Sequence, residues 1–121
     1  MIAKQIWFLN GTTPAGNIDA GLFAGDDRQV GAVLAANGGE AQSGTNAIQK
    51  LDITDVPLRG GQLVFVGVSM SSSAANYGAV GTTPLQIARS MGIYQQTSAY
   101  PLPSTPTPAV LSTNFSMPLI S

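Results

Sequence analysis

The residues of this chain best equipped for chemistry are its six acids, Asp19, Asp26, Asp27, Glu40, Asp52 and Asp55. Two carboxylates across a cleft would suit glycoside hydrolysis, and several converging oxygens would suit calcium. Only Asp52 and Asp55 share a local stretch, and a turn over residues 55–61 accounts for them. Asp26 and Asp27 fall in a predicted turn, where Asp is favoured for its local backbone bonds. The spacing of the acids is not that of an EF-hand loop. Histidine and cysteine are both absent. That removes the most frequent general base, thiolate nucleophiles, disulfides and the common zinc and haem sites. Neither lysine follows a Ser-x-x-Lys pattern, so no serine has an evident base. The glycines lie at strand ends, not in a phosphate-cradling loop before a long helix. The expectation is a protein that is not an enzyme, with no catalytic residue, no metal site and no cofactor.

Trp7, Phe8, Tyr77, Tyr94 and Tyr100 are a different kind of candidate, because aromatic faces stack on sugars. Trp7 and Phe8 sit in a predicted strand, where aromatics belong to the core. Tyr77 lies in a predicted loop, where core and binding roles are closer. Asn10-Gly11-Thr12 and Asn114-Phe115-Ser116 match the glycosylation acceptor pattern. The start MIAKQIWFLNG has no apolar leader with a small-residue cleavage site, so that pattern carries no weight.

Composition narrows the partners. Net charge is −1, and the five cations Lys4, Arg28, Lys50, Arg59 and Arg89 are scattered singly. Phosphate binding needs several cations on one face, so neither nucleic acid nor an anionic membrane surface is expected. No run approaches a transmembrane length. Charged residues make up 9% of the chain, against about 25% in ordinary soluble domains. A surface built from Ser, Thr, Asn and Gln repels itself weakly and packs readily against copies or neighbours. The chain's 121 residues, 44% of them hydrophobic, suffice for one domain with one core, over residues 1–121.

The elements that would position these residues are short strands. Residues 2–9 form the first, with Ile2, Lys4, Ile6 and Phe8 on one face and Gln5, Trp7 and Leu9 on the other. Residues 17–24 follow, with Ile18, Ala20 and Leu22 turned away from Asp19 and Gly21. Gly25-Asp26-Asp27 is a hairpin-like turn. Residues 29–36 put Val30, Ala32 and Leu34 on one face, and residues 41–46 are a loop. In residues 47–54, Leu51 and Ile53 alternate with Lys50 and Asp52. Residues 62–70 are apolar on both faces, which predicts a strand at the centre of a sheet or between two layers. Gly67 predicts a bulge or a close approach by another backbone. Residues 71–81 are a Ser/Ala/Gly/Asn loop. Thr83, Pro84 and Gly92 are the cap, first-turn and C′ signals of one short helix over residues 85–91. Prolines 101, 103, 106 and 108 make residues 94–108 an extended crossing that packs Tyr100 and Leu102 onto the sheet. A last strand spans residues 114–120, with Pro118 suited to an edge. Leu22, Leu51, Val64, Val66 and Phe115 are the expected core. The fold class is all-β, an antiparallel sandwich of jelly-roll-like or immunoglobulin-like form.

The segments NIDAGLF, AQSGTNAIQKLDITDVPLRGG and LVFVGV, followed by LQIARSMGIYQQTSAYPLPSTPTPAVLSTNFSMPLI, resemble a β-sandwich module of tailed-phage virion proteins. The likeness runs from Lys4 onward and carries no catalytic signature. It implies a virion protein, made in the host cytoplasm, that serves in capsid decoration, head fibres or tail parts. The leading expectation is a decoration or cement protein bound to the major capsid protein and to copies of itself. The alternative is a tail or fibre module that recognises host surface glycans. Such modules usually carry another apolar strand upstream of the one that begins here at Ile2. Either that strand is absent or a neighbouring chain supplies it, and an exposed edge is a template for pairing between molecules.

Overall fold

The computed structural model describes residues 1–26, 29–83, 94–96, 98–110 and 115–118. Among these residues the chain is all-β, and every pairing between strands is antiparallel. The strands are β1 (Ile2–Leu9), β2 (Asn17–Gly25), β3 (Val30–Ala36), β4 (Glu40–Ala41), β5 (Ile48–Pro57), β6 (Val64–Met70), β7 (Ala79–Thr83), β8 (Tyr94–Gln95), β9 (Ala109–Val110) and β10 (Phe115–Pro118). The expected helix over residues 85–91 lies outside the described residues, as does the side chain of Phe115.

Two layers form a β-sandwich. One contains β1 paired with β5, and a bridge from Asn10 to Tyr77 joins the end of β1 to the segment entering β7. The other has β2 at its centre, with β3 and β4 sharing one side and β6 on the other. Ile6 and Phe8 of β1, Leu51, Ile53 and Val56 of β5, Ile18, Ala20 and Leu22 of β2, and Ala35 of β3 fill the space between the layers. Period-two alternation drives this arrangement. In β5 the buried Leu51 and Ile53 alternate with the exposed Lys50, Asp52 and Thr54.

Strand β2 is buried on both faces. Its outer side carries Asp19, Gly21 and Phe23, and the Pro-rich crossing lies over it. A Cβ on Gly21 would stand 3.2 Å from Leu102 Cδ1, so the absence of a side chain is what lets the crossing approach. Gly67 beside it leaves room for the ring of Phe23, whose Cε2 would lie 2.6 Å from a Cβ there. The close neighbour of Gly67 is thus a side chain, not a backbone, and the β2–β6 register runs through it without a shift.

Several expectations need correction. Of the two placements expected for β6, the centre of a sheet is not seen among the described residues, where β2 is its only strand partner. Val66 is 47% exposed, and Val64 is only half-buried. In β3 it is Ala35 that is buried, while Leu34 is 37% exposed and Ala32 is exposed. The reason is a bulge: Leu22 pairs with Ala35 but Phe23 pairs with Val33, so Leu34 is an extra residue that flips the parity of the strand. Trp7 is 43% exposed and Ile2 is exposed, whereas Phe8 is fully buried. Strand β5 runs on to Pro57, so Asp55 lies in the strand with Asp52 and not in a turn. The loop expected at residues 41–46 begins with the last residue of β4, and β7 begins inside the loop expected at 71–81. The turn at Asp26 is as expected: Asp26 N donates to Gln29 O, and Gln29 N donates to Asp26 Oδ1 at 3.0 Å.

Candidate binding site

A cleft of about 820 Å³ lies beside β6. Residues 65–71 line one wall in unbroken succession, and the Pro-rich crossing lines the other with Tyr94, Gln95, Gln96, Tyr100 and Leu102. Both faces of β6 contribute. Val66, Val68 and Met70 face the other layer, near Phe8 and Tyr77; Phe65, Gly67 and Ser69 face the crossing. The cleft therefore wraps the strand's edge. Among the described residues no Lys, Arg, Asp or Glu lines it. The Ser69 hydroxyl is buried without a hydrogen-bond partner among the described residues.

A buried acid holds the crossing in place. Asp19 is 1% exposed, and its two carboxylate oxygens accept from Gly38 N and Leu102 N, each at 2.9 Å. Val33 N donates to Ser104 O at 2.9 Å, a second tie further along. Phe65 and Tyr94 meet edge to face, with ring centroids 5.8 Å apart, where β6 and β8 come together. This role for Asp19 was not visible in the strand pattern, because an acid alternating with Ile18 and Ala20 reads as solvent-facing.

The rest of the candidate acids are spread over the surface. Asp52 Oδ1 accepts from Gln5 Nε2 at 2.6 Å, Asp55 pairs with Lys4 at 3.3 Å, and Glu40 Oε1 accepts from Asn37 Nδ2 at 3.2 Å. Asp52 and Asp55 each have a partner across the β1–β5 ladder, and among the described residues no acid lines the cleft. Among the described residues no group of three metal-ligating side chains converges. Asp27, Arg28, Arg89 and Asn114 lie outside the described residues.

The aromatics divide between two places. Phe8, Tyr77, Tyr94 and Tyr100 belong to the cleft or its floor. Trp7 lies on the opposite side of β1 from Phe8, under the Lys50 ammonium at 4.8 Å from its ring centroid and donating to Gln5 Oε1 at 3.3 Å. Lys50 is its cross-strand partner, so the ladder register makes this pair.

Asn10, read in the sequence as half of a turn signal, is fully buried. Its Nδ2 donates to Ser43 O and to Gln49 Oε1, and Gln49 in turn donates to Ala41 O at 2.8 Å. Gln42 bridges Ala15 N and Asn76 O. These amides fasten three loops at one end of the sandwich. They also leave the asparagine of the Asn-Gly-Thr pattern enclosed by protein.

Burial raises the pKa of Tyr77 above the ordinary phenol value, because the charged phenolate is poorly solvated there. Its folded-state pKa exceeds the unfolded one, so the native state holds its proton longer. Stability is unaffected by Tyr77 below about pH 10, the unfolded value, and falls as pH rises from there through the folded pKa. Alkaline titration of the melting temperature should show this decline. Tyr77→Phe should reduce it while leaving the neutral-pH profile shape unchanged.

No family model, curated protein or solved structure matches the chain.

Proposed function

We propose that this chain is a structural component of a tailed-phage virion that works by binding and not by catalysis. Its place is the outer capsid, as a decoration protein contacting the major capsid protein and copies of itself. The observation that carries the reading is the cleft of about 820 Å³, whose described lining residues are all uncharged. An uncharged concavity of that size suits a neutral protein segment better than an ionic substrate. The sequence likeness to virion modules and the exposed Trp7, Ile48, Leu63 and Val66 point the same way.

Contacts of this kind are insensitive to salt, whereas exposed ion pairs are screened beyond about 10 Å at 0.1 M. Purified protein added to capsids lacking it should bind equally well at low and high salt. Absence of binding at both levels would refute the capsid assignment. A second reading has its own observation: Tyr94, Gln95, Gln96 and Tyr100 place aromatic faces beside amide donors in the cleft, a combination that suits a neutral glycan. Binding to host surface glycan, without capsid binding, would select the tail or fibre role.

A further inference from the structure

The outer edge of β6, unpaired among the described residues, has a definite chemistry. Ser71 N donates to Asn17 O, which makes Asn17 and Ser71 a hydrogen-bonded pair of the β2–β6 ladder. Such pairs recur at every second residue of an antiparallel ladder. The register pairs Asp19 with Ser69, Gly21 with Gly67 and Phe23 with Phe65. Those residues therefore spend their main-chain groups on β2. The N–H and C=O groups of Val64, Val66, Val68 and Met70 point the other way, and among the described residues none of them meets a partner. The cleft runs along this same edge, through Val66, Val68 and Met70.

We propose that the cleft accepts an extended, uncharged segment of another polypeptide, which adds as a strand to β6. The main-chain groups of Val64, Val66, Val68 and Met70 would supply the ladder bonds. Side chains of alternate residues in the added segment would then meet two different walls. One is the apolar inner wall of Val66, Val68 and Met70; the other holds Phe65, Ser69 and Tyr94. Seven residues of β6 correspond to a strand of about 23 Å. Charge selects the occupant. A Lys or Glu entering the cleft would lose water and find no opposite charge among the described lining residues. A segment with valine-like residues at every second position and small uncharged residues between them satisfies both walls. The proposal rests on the edge and its cleft alone, and holds whether the donor belongs to a capsid, a tail or another component.

The test is a tethered strand. A nine-residue segment alternating valine with serine is fused to the full chain through a Gly/Ser linker of about 20 residues, whose root-mean-square reach is roughly 25 Å. The control carries proline at every second residue of that segment. The alternating segment should raise the unfolding midpoint. It should also slow amide exchange at Val64, Val66, Val68 and Met70 by about tenfold or more, as expected once the effective concentration exceeds the dissociation constant tenfold. Exchange at Phe65, Gly67 and Ser69, already paired with β2, should change far less. The proline control should do neither. Val66→Lys places a charge on the edge at a half-exposed position, so it should fold normally and lose the effect. Equal protection by the proline control, or no protection at the four outward amides, would overturn the proposal. So would protection of those amides in the untagged protein together with a dimeric mass, which would assign the edge to self-pairing.

Discussion

Phe8→Ala should destabilise the fold by about 3–5 kcal/mol, the range for truncating a buried phenylalanine. Phe8 is fully buried and lies between the layers, with its ring centroid 6.3 Å from that of Tyr77. Truncation would leave a void bounded by β1, β5 and the entry to β7, and the ladders on either side limit its collapse. Domains of this size are stable by about 5–15 kcal/mol in total, so the variant should lose about a fifth or more of its margin. Urea unfolding checks the size of the loss. Val66→Ala is the counterpart. Although it lies in the most apolar strand, Val66 is 47% exposed, and its truncation should cost about 1 kcal/mol or less. Equal losses for the two variants would mean that the layers are packed differently from the description above.

Asp19→Ala should cost about 3 kcal/mol or more. Hydrogen bonds to a charged group are worth about 1.5–3 kcal/mol each, and Asp19 accepts two, from Gly38 N and Leu102 N. Alanine would leave both donors without their acceptor on the covered face of β2. The loss should be local as well as global. The Leu102 amide should exchange faster than in the parent even under native conditions, because the carboxylate is what fastens the crossing there. Asp19→Asn keeps one acceptor oxygen and should fall between alanine and the parent. An unchanged Leu102 exchange rate in Asp19→Ala would mean that apolar contacts alone hold the crossing, chiefly that of Leu102 with the space left by Gly21.

Local pattern was enough to locate β1, β2 and β5 and the Asp26 turn, because each is decided by residues within a few positions of one another, though not for the extension of β5 to Pro57 or the exposure of Ile2 and Trp7. The alternation of Leu51 and Ile53 with Lys50 and Asp52 places the core face of β5 directly. What local pattern could not supply was anything decided by a partner far along the chain. The bulge at Leu34 is set by pairing with β2, and it reverses which residues of β3 are covered. Asp19 is buried by a segment 83 residues further on. Val66 sits in a strand that is apolar on both faces, the usual mark of a sheet centre, yet it lies on an edge beside a cleft. That apolar character fits the site there as well as it would fit a core. Trp7 and Phe8, adjacent and both aromatic, have opposite fates because strand parity alone separates them. The cleft was legible only in part. The crossing and its packing of Tyr100 and Leu102 followed from the prolines, but the open edge of β6 depends on which strands flank it.

The order of strands has a further consequence for how the molecule comes to fold. Strand β1 pairs with β5, and β2 pairs with β6, so neither of the first two long strands finds its full complement among its sequence neighbours. Chains dominated by such distant pairings fold in milliseconds to seconds, because loop closure must precede the contacts that reward it. On the ribosome the delay is longer. At about 5–20 residues per second, β5 follows β1 by several seconds. During that interval β1, with Ile6 and Phe8, lacks its ladder partner. The β2–β3 hairpin, closed by the Asp26 turn, is the one long-strand pairing that can form as it is made, and it is the natural place for the sandwich to start.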